Sequence, residues 1–361
     1  TEATGHDRRG GIPDAHRGIA GWLRGPGWIA LLFFVLTLFL TTRNNDYPYY
    51  YEKDAHSKVA QVLSGERNFY HPLLMLNGAD AILRVCNLER TEHNAVVAGR
   101  WVMALCTAVA VAAFSLLGYR LRGPLTAISV GVLVMTDNLV FELAHFFKED
   151  PALLMGLALS FLAMQHFWER PTRGSAAWLG AACALAVSGK YVGIAAFVLA
   201  LALLWMARKG ADGQRRAIPW GIFLLSFAGL AALINYQIIL RIPEFIGGFA
   251  IEMNDVTRPS KRKDIPHIGQ AIDVFDKLVH PWIFLLAAFQ IGLTIVRRSR
   301  RPVEWMLFFY PAIFLLVLLF SPRLFTRHFL PVIAFLSVLA GFGLPALVEW
   351  GWPRLKRRYD W

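Results

Sequence analysis

The chain has 361 residues, of which 56% are hydrophobic and only 17% are charged, and its mean hydropathy is +0.44. A soluble domain cannot bury that much apolar surface in one core, so the composition predicts an integral membrane protein. The formal net charge of +12 would suit a nucleic-acid partner if the protein were soluble. Here the basic residues fall in short clusters between apolar runs, which is typical of topology signals and argues against a nucleic-acid partner.

Apolar runs of roughly 20 residues that end at charge or proline predict membrane-spanning helices. Ten such runs occur, at about 20–41, 95–118, 124–144, 151–168, 175–189, 191–207, 218–240, 281–296, 303–320 and 329–349. The fifth and sixth runs are short and meet at Ser188-Gly-Lys-Tyr191, where a single kinked or re-entrant element is the alternative. The sequence therefore predicts an all-α polytopic membrane protein, organised as one transmembrane domain over residues 1–361.

The positions of Lys and Arg predict that both termini are cytoplasmic, because short basic loops stay on the cytoplasmic side of a membrane. With this orientation every short inside loop is basic. Examples are Arg120 with Arg122, Arg170 with Arg173, and Arg297 with Arg298 and Arg301. Ten spans are consistent with this assignment.

Two long loops, about 42–94 and 241–280, then lie on the outer side. Within the first loop, the stretch from Asp54 to Leu63 and the stretch from Pro72 to Cys86 have helical apolar spacing. They predict two amphipathic helices on the membrane surface. The second loop has weak periodicity, and both a mobile lid and a solvated connection remain open for it.

Four sets of polar residues converge on this outer face. They are Glu52, Asp54, His56 and Lys58; His145 with Lys148, Glu149 and Asp150; Lys190; and Arg323 with Arg327 and His328. An ionisable group at the end of an apolar helix is costly unless it is paired, reaches the headgroups or lines a wet cavity. Lys and Arg often reach the headgroups, as expected for Lys58, so the acids are the more informative members of these sets.

The simplest alternative for Asp150 is a helix cap, because Pro151 suits the first turn of the fourth span. Carboxylates and cations that face one aqueous side also suit a reaction on a lipid phosphate, in which cations hold the phosphate and a carboxylate acts as a general base. A transporter or flippase of a lipid-linked anion could use the same groups. Because the apolar runs contain few acids, a one-sided site is the favoured interpretation.

Four segments carry a resemblance to a known family: Tyr51-Glu-Lys-Asp-Ala-His-Ser-Lys-Val-Ala, Phe147-Lys-Glu-Asp-Pro-Ala-Leu-Leu, Ser188-Gly-Lys-Tyr-Val-Gly and Thr326-Arg-His-Phe-Leu-Pro-Val. Their order and sidedness resemble the GT-C membrane glycosyltransferases, in particular the group of protein O-mannosyltransferases and lipid A aminoarabinose transferases. The resemblance implies a multi-pass protein of the bacterial inner membrane whose active site faces the periplasm. It also implies an inverting enzyme of the cell envelope that moves a sugar from a polyprenyl-phosphate donor to a lipid, glycan or protein acceptor.

The same resemblance implies roles for individual residues. Asp54 matches the acid that deprotonates the acceptor hydroxyl, and Asp150, next to Glu149, matches a second acid that orients the acceptor or a metal. Lys190 and Arg327 fall where lipid-phosphate contacts are expected. His328 replaces the more usual tyrosine, and Lys148 is placed with the same phosphate contacts.

One departure concerns the first loop, where the family often has Asp-Glu and this chain has Ala55 in the second position. Glu52 or His56 is expected to compensate. A divalent metal held by Glu149, Asp150, Asp54 and His56 is an open alternative, although no spacing rule supports it and a plain hydrogen-bond network is the simpler interpretation.

Overall fold

The computed structural model describes residues 25–47, 53–208, 217–257, 267–299, 301–321 and 325–359. Within these ranges every regular element is helical, which confirms the predicted all-α fold. The helices of the first half are α1 (Gly27–Thr42), α2 (Lys53–Ser64), α3 (Leu74–Val85), α4 (Glu92–Arg122), α5 (Pro124–Met135), α6 (Asn138–Ala144), α7 (Asp150–Glu169) and α8 (Arg173–Gly189).

A 3-10 turn over Tyr191–Gly193 separates α8 from the next helix, so the predicted break at this point is present. The helices of the second half are α9 (Ile194–Ala207), α10 (Trp220–Ile234), α11 (Tyr236–Leu240), α12 (Ile242–Thr257), α13 (His267–Leu278), α14 (Pro281–Val296), α15 (Pro302–Leu319) and α16 (Leu330–Tyr359). A second 3-10 turn, Thr326–Phe329, leads into α16.

Helices occupy all ten positions at which spans are predicted, but not all of them are long enough to cross a bilayer alone. By length and composition, four described segments qualify, namely α4, α7, α15 and Thr326–Trp350. The number rises to six if α5 with α6, bent by 61°, and α13 with α14, bent by 105°, each count as one span. The helices α1 and α10 and the segment Tyr191–Ala207 are apolar but shorter.

The bundle is built around α4, which packs against α1, α5 and α7. Next to it, α7 and α8 approach each other backbone to backbone. A Cβ atom on Gly156 would lie 2.2 Å from the Cα of Ala186, so only glycine permits this contact. Small residues at helix contacts are typical of membrane bundles, where close packing replaces the hydrophobic effect. The contact fixes the start of α7 relative to the end of α8.

Both long loops contain helices. In the first loop, α2 and α3 confirm the two predicted amphipathic helices, and α2 buries Ala55, Val59 and Val62 against the bundle. The second loop, for which the sequence leaves a mobile lid and a solvated connection open, contains α12 and α13, and both helices have one apolar side.

The two loops contact each other through α12. A Cβ atom on Gly248 would meet the carbonyl oxygen of Asn68 at 2.1 Å, and the rings of Phe245 and Phe69 lie 6.4 Å apart. Tyr191 joins them, since its hydroxyl donates to the carbonyl of Phe69 at 3.2 Å. The second loop therefore packs beside the residues that link α8 to α9.

Candidate active site

The polar sets that the sequence predicts to converge do meet at one end of the bundle. They come from the start of α2, the loop before α7, the residue after α8 and the 3-10 turn before α16. Each acid in this acid–cation cluster, which consists of Asp54, Lys58, Lys148, Glu149, Asp150, Lys190 and Arg327, is paired with at least one cation.

Asp54 is the solvent-facing acid of the cluster. Its Oδ2 accepts hydrogen bonds from the ammonium of Lys148 and, at 3.1 Å, from the guanidinium of Arg327. The side chain of Asp54 is 49% exposed, whereas the side chains of Glu149 and Asp150 are each 2% exposed. Of these three carboxylates, Asp54 is therefore the one that an incoming substrate can reach.

Glu149 is buried between two groups. The ammonium of Lys58 donates to its Oε2 at 2.5 Å, and Nε2 of His71 lies 3.6 Å from its Oε1. The expectation that Lys58 faces headgroups or solvent was wrong. Asp54 and Lys58 are one helical turn apart on the same side of α2, so both side chains point at the loop before α7.

Asp150 begins α7 and binds the residue that ends α8. The ammonium of Lys190 donates to Oδ1 of Asp150 at 2.7 Å, which ties the two helix ends together. Among the described residues, the buried Oδ2 of Asp150 has no hydrogen-bond partner. The structure therefore does not show Asp150 as a helix cap. Its carboxylate forms one ion pair through Oδ1, and its Oδ2 accepts no hydrogen bond from the described residues.

The cations determine the ionisation of the acids. Burial would raise the pKa of the Glu149 carboxyl, but the charges of Lys58, His71 and Lys190 outweigh it and hold the pKa well below its usual range. Burial also opposes ionisation of Asp54, yet the hydrogen bond and charge of Lys148 lower its pKa. Both acids are therefore carboxylates near neutral pH.

The cations respond to burial in different ways. Burial lowers the pKa of Lys58 in spite of its Glu149 partner. Burial also disfavours the charged form of Lys190, but the carboxylates of Asp150 and Glu149 outweigh it and raise the pKa of the ammonium. His328 follows Arg327 in the 3-10 turn and is half-buried, with its ring 5.2 Å from the ring of Phe325.

Cations outnumber acids among the described residues of the cluster. Three carboxylates face three lysines and one arginine. Lys and Arg side chains that converge on one place are the groups that bind phosphate oxygens. The arrangement can therefore hold a phosphate beside a carboxylate that is already ionised.

One side-chain contact and one proline position the loop that carries Lys148 and Glu149. The ring of Phe147 is buried against α4 at Gly99, where a Cβ atom would lie 2.2 Å from the ring. The loop then enters α7 at Pro151, whose fixed φ suits the first turn of a helix. The close approach of the Phe147 ring to Gly99 prevents the loop from sliding along α4.

A buried arginine in α4 connects the beginning of the first loop to the loop before α7. Arg100, 2% exposed, donates from Nη1 to the carbonyls of Asn45 at 2.9 Å and Tyr47 at 2.7 Å. Its guanidinium lies 3.6 Å from the centre of the Tyr47 ring, and the Tyr47 hydroxyl donates to the carbonyl of His145 at 2.6 Å. Arg100 thus joins the chain that leads to Asp54 with the loop that leads to Asp150.

The first-loop motif contains two further predicted site residues, Glu52 and His56. Glu52 lies outside the described residues. His56 is exposed on α2, and because it follows Asp54 by two residues its side chain projects from the other side of the helix. Whether either residue replaces the missing second acid of the first loop stays a prediction.

The described residues do not fit the predicted alternative of a divalent metal. They contain no group of three or more His, Cys, Asp or Glu side chains placed to hold an ion. The oxygens of Asp54, Glu149 and Asp150 instead face the ammonium groups of lysines. The hydrogen-bonded network is the interpretation that matches these contacts.

Sequence reasoning missed His71 and the roles of Lys58 and Arg100. His71 is a single histidine in a loop, with no spacing that connects it to Glu149. Arg100 did give a signal, because it is a cation within the apolar run of α4. A buried charge in an apolar helix is costly, so it indicates that the side chain has specific hydrogen-bond or ion-pair partners.

Part of the chain matches a known protein family in sequence. Residues 69–246, a stretch just short of half of the chain, match the family model described as dolichyl-phosphate-mannose-protein mannosyltransferase. The stretch contains Lys148, Glu149, Asp150 and Lys190, whereas Asp54 and Arg327 lie outside it. No curated protein matches the chain in sequence.

Solved structures share the fold. ArnT from Cupriavidus metallidurans, solved with bound undecaprenyl phosphate, is 19% identical, with a TM-score of 0.60 over 93% of this chain and 62% of that chain. The oligosaccharyltransferase of Archaeoglobus fulgidus, solved with Zn and sulfate, is 9% identical, with a TM-score of 0.55 over 91% of this chain and 50% of that chain. A structure of the archaeal oligosaccharyltransferase AglB from Archaeoglobus fulgidus, with an inhibitory peptide and a dolichol-phosphate, gives a TM-score of 0.54 at 9% identity, over 93% of this chain and 52% of that chain.

The protein thus has the fold of the GT-C membrane glycosyltransferases, and the predicted resemblance is confirmed. The chain spans about three fifths of the length of ArnT and about half of the length of the oligosaccharyltransferases.

Proposed function

We propose that the protein is a GT-C glycosyltransferase that moves a sugar from a polyprenyl-phosphate donor to an acceptor hydroxyl. The observation that carries this proposal is the pairing of the solvent-facing Asp54 with Lys148 and Arg327 beside two buried acids. The family match and the shared fold support the same reaction class. ArnT was solved with undecaprenyl phosphate, and we extend a lipid phosphate of that kind to this chain.

In the proposed reaction the cations hold the donor. The phosphate lies against Arg327, Lys190 and Lys148, with His328 beside it. Because phosphate oxygens compete with Asp54 for Lys148 and Arg327, donor binding weakens the contacts that lower the pKa of Asp54. The carboxylate then becomes a better proton acceptor at the moment when it is needed.

The chemical step requires one base. The acceptor oxygen attacks the anomeric carbon from the face opposite the phosphate, Asp54 takes the hydroxyl proton, and the bond between carbon and phosphate oxygen breaks with its electron pair on the phosphate. The product is a glycoside of inverted configuration and a free polyprenyl phosphate. Arg327 and Lys190 stabilise the charge that develops on the leaving phosphate.

The two buried acids have positioning roles in this proposal. Glu149 holds Lys58 and faces His71, while Asp150 fixes Lys190 at the end of α8. We further propose that the cluster faces the periplasm or a lumen, because the basic loops lie at the opposite end of the bundle. The host membrane is then the bacterial inner membrane, with both termini in the cytoplasm and residues 1–361 forming one GT-C-like unit.

A carrier of a lipid-linked anion is the rival, and it needs charged groups along its path. Two stretches that run through the bundle carry none: Pro151 to Gln165 of α7 and Phe329 to Val348 before and within α16 contain no Asp, Glu, Lys or Arg. The charged pairs lie at the two ends of these helices. This distribution favours a one-sided enzyme over a carrier.

Asp54→Asn is the test of the proposal. The wild-type protein and the variant are purified in nanodiscs, and the bound lipid is identified by native mass spectrometry before and after a membrane extract supplies acceptor. We expect both to bind a polyprenyl-phosphate sugar and only the wild type to convert it to polyprenyl phosphate. Glu66→Gln, which changes an exposed acid of the same loop outside the cluster, is the matched control. Full conversion by Asp54→Asn would refute the role of Asp54, and phospholipid as the one bound lipid would refute the donor class.

A further inference from the structure

A cavity of about 360 Å³ lies at the end of the bundle opposite the acid–cation cluster. Its wall is made by the end of α4, the end of α14, the start of α15 and the last turns of the apolar part of α16. In α16 the lining begins at Phe342, a dozen residues or about 18 Å beyond the start of the helix. The catalytic proposal makes no use of this cavity.

One guanidinium in the cavity wall is fixed from three sides. Arg122 donates to Oε1 of Gln290 at 3.0 Å and lies 3.5 Å from Oε2 of Glu304. Its charged carbon lies 5.7 Å from the centre of the Phe342 ring. The Arg122 side chain is 17% exposed, so its contacts with Gln290, Glu304 and Phe342 hold the guanidinium at the cavity surface.

Two further arginines border the same space. Arg301 donates to the carbonyl of Leu121, which joins the start of α15 to the end of α4. Arg297 is an exposed residue directly after α14. Three guanidinium groups around one cavity, together with the hydroxyl groups of Thr126 and Ser299, provide the donors that a phosphate requires.

The cavity also contains carboxylates, and these decide which phosphate fits. Glu304 is 8% exposed and already faces Arg122. Glu349 is exposed and lies on the α16 wall. A simple anion would gain from the arginines and be repelled by Glu349, whereas a ligand that carries a phosphate and an ammonium can satisfy both.

The surroundings indicate that such a ligand comes from the bilayer. Val296 on α14 is 80% exposed, and on α16 Val348 is 56% and Trp350 49% exposed. These apolar side chains flank the cavity at the level where a lipid headgroup meets its acyl chains. A headgroup in the cavity would therefore keep its chains on an apolar surface.

We propose that this cavity binds the phosphoethanolamine headgroup of a membrane phospholipid. The phosphate lies among Arg122, Arg297 and Arg301, and the ammonium points to Glu349. The site is independent of sugar transfer, because it is built from other residues at the other end of the same helices.

Native mass spectrometry of the full chain tests the site. The protein is titrated with phosphatidylethanolamine, phosphatidylglycerol and phosphatidylcholine, and separately with free O-phosphoethanolamine as competitor. We expect Arg297→Gln to weaken binding of phosphatidylethanolamine about tenfold, because a charge-assisted contact is lost. Arg298→Gln is the matched control, since the neighbouring arginine does not line the cavity.

A second variant tests the ammonium contact. Glu349→Gln is expected to abolish the preference for phosphatidylethanolamine over phosphatidylglycerol without loss of phospholipid binding. Equal binding of phosphatidylethanolamine by the wild type, Arg297→Gln and Arg298→Gln would overturn the proposal. Binding of free O-phosphoethanolamine without any binding of the lipid would show that the ligand is a soluble phosphate compound, and would overturn the lipid source.

Discussion

Two ion pairs at opposite ends of the bundle, Lys58 with Glu149 and Arg120 with Glu169, differ in burial. At the end with the acid–cation cluster, Lys58 and Glu149 are 6% and 2% exposed, whereas at the other end Arg120 and Glu169 are 29% and 36% exposed. A buried pair repays its desolvation only with very good geometry, and an exposed pair contributes little either way. The difference indicates that the buried cluster is kept for what it binds rather than for stability.

The same helices connect these two ends. The 20 residues of α7 run from Asp150, which binds Lys190, to Glu169, which binds Arg120. At 1.5 Å per residue this is about 30 Å, the thickness of the hydrocarbon core of a bilayer. Perturbations at one end can therefore be compared with matched perturbations at the other end of the same helix.

Asp150→Asn is expected to have the largest effect. It leaves the ammonium of Lys190 at the bundle end without its ion pair, and loss of one partner of a buried pair costs about 3–5 kcal/mol. Chemical denaturation in detergent micelles, followed by tryptophan fluorescence, measures the change in the free energy of unfolding. Sugar transfer should also be lost.

The double variant Asp150→Asn with Lys190→Gln separates stability from function. It removes both charges, so most of the lost stability should return while transfer stays absent. A double variant as unstable as Asp150→Asn alone would show that the pairing is not the source of the effect.

Arg100→Gln is expected to lower kcat by about 10²-fold, because the loops that lead to Asp54 and Asp150 lose the contact that aligns them. Arg100 acts here as a positioning residue through Tyr47. Lipid binding should stay close to that of the wild type, and Arg100→Lys should recover part of the rate. A loss confined to KM, or a complete loss of folded protein in both variants, would contradict this role.

Lys148→Met is expected to shift the pH dependence of transfer. Without the charge and hydrogen bond of Lys148, two of the interactions that lower the pKa of Asp54 are lost, so this pKa rises relative to the wild type. A base must be ionised to accept a proton, so activity falls as the pH drops through that pKa. The acidic limb of the profile of kcat/KM against pH should move to higher pH in Lys148→Met and remain in place in Lys148→Arg.

Glu169→Gln, at the end of α7 opposite Asp150, is expected to have the smallest effect on stability. It breaks the exposed pair with Arg120, whose worth is about 0–1 kcal/mol. Transfer and the pH profile should not change. A loss of activity as large as that of Asp150→Asn would mean that the two ends are coupled, and the contrast between them would no longer hold.

Much of the fold could be predicted from the sequence because its signals are local. Apolar runs, flanking charges and helical spacing identify the helices one at a time, and α2 and α3 were found in this way. The helices of the second long loop are not evident from the sequence, because acidic residues and glycines weaken the apolar pattern of α12. Its packing on Asn68 and Phe69 is a long-range contact that no local pattern contains.

The candidate site shows the same limit. The sets of polar residues that meet at one end of the bundle were predictable from topology, but not which cation binds which acid. Lys58 was expected in solvent, yet it reaches across to Glu149, 91 positions along the chain. His71 contacts the same carboxylate from a loop without a motif. Such pairings depend on how helices pack, and one sequence does not encode them in any short stretch.

The backbone contact between Gly156 and Ala186 limits how the protein can open. Because α7 and α8 have no side-chain layer between them at this point, they cannot slide or rotate past each other without a clash, and they behave as one rigid body. Asp150 and Lys190, at the adjoining ends of these helices, are therefore held at a fixed separation. In the proposed reaction, the movements that admit a donor are expected in elements outside this body, namely α2, α3 and α12.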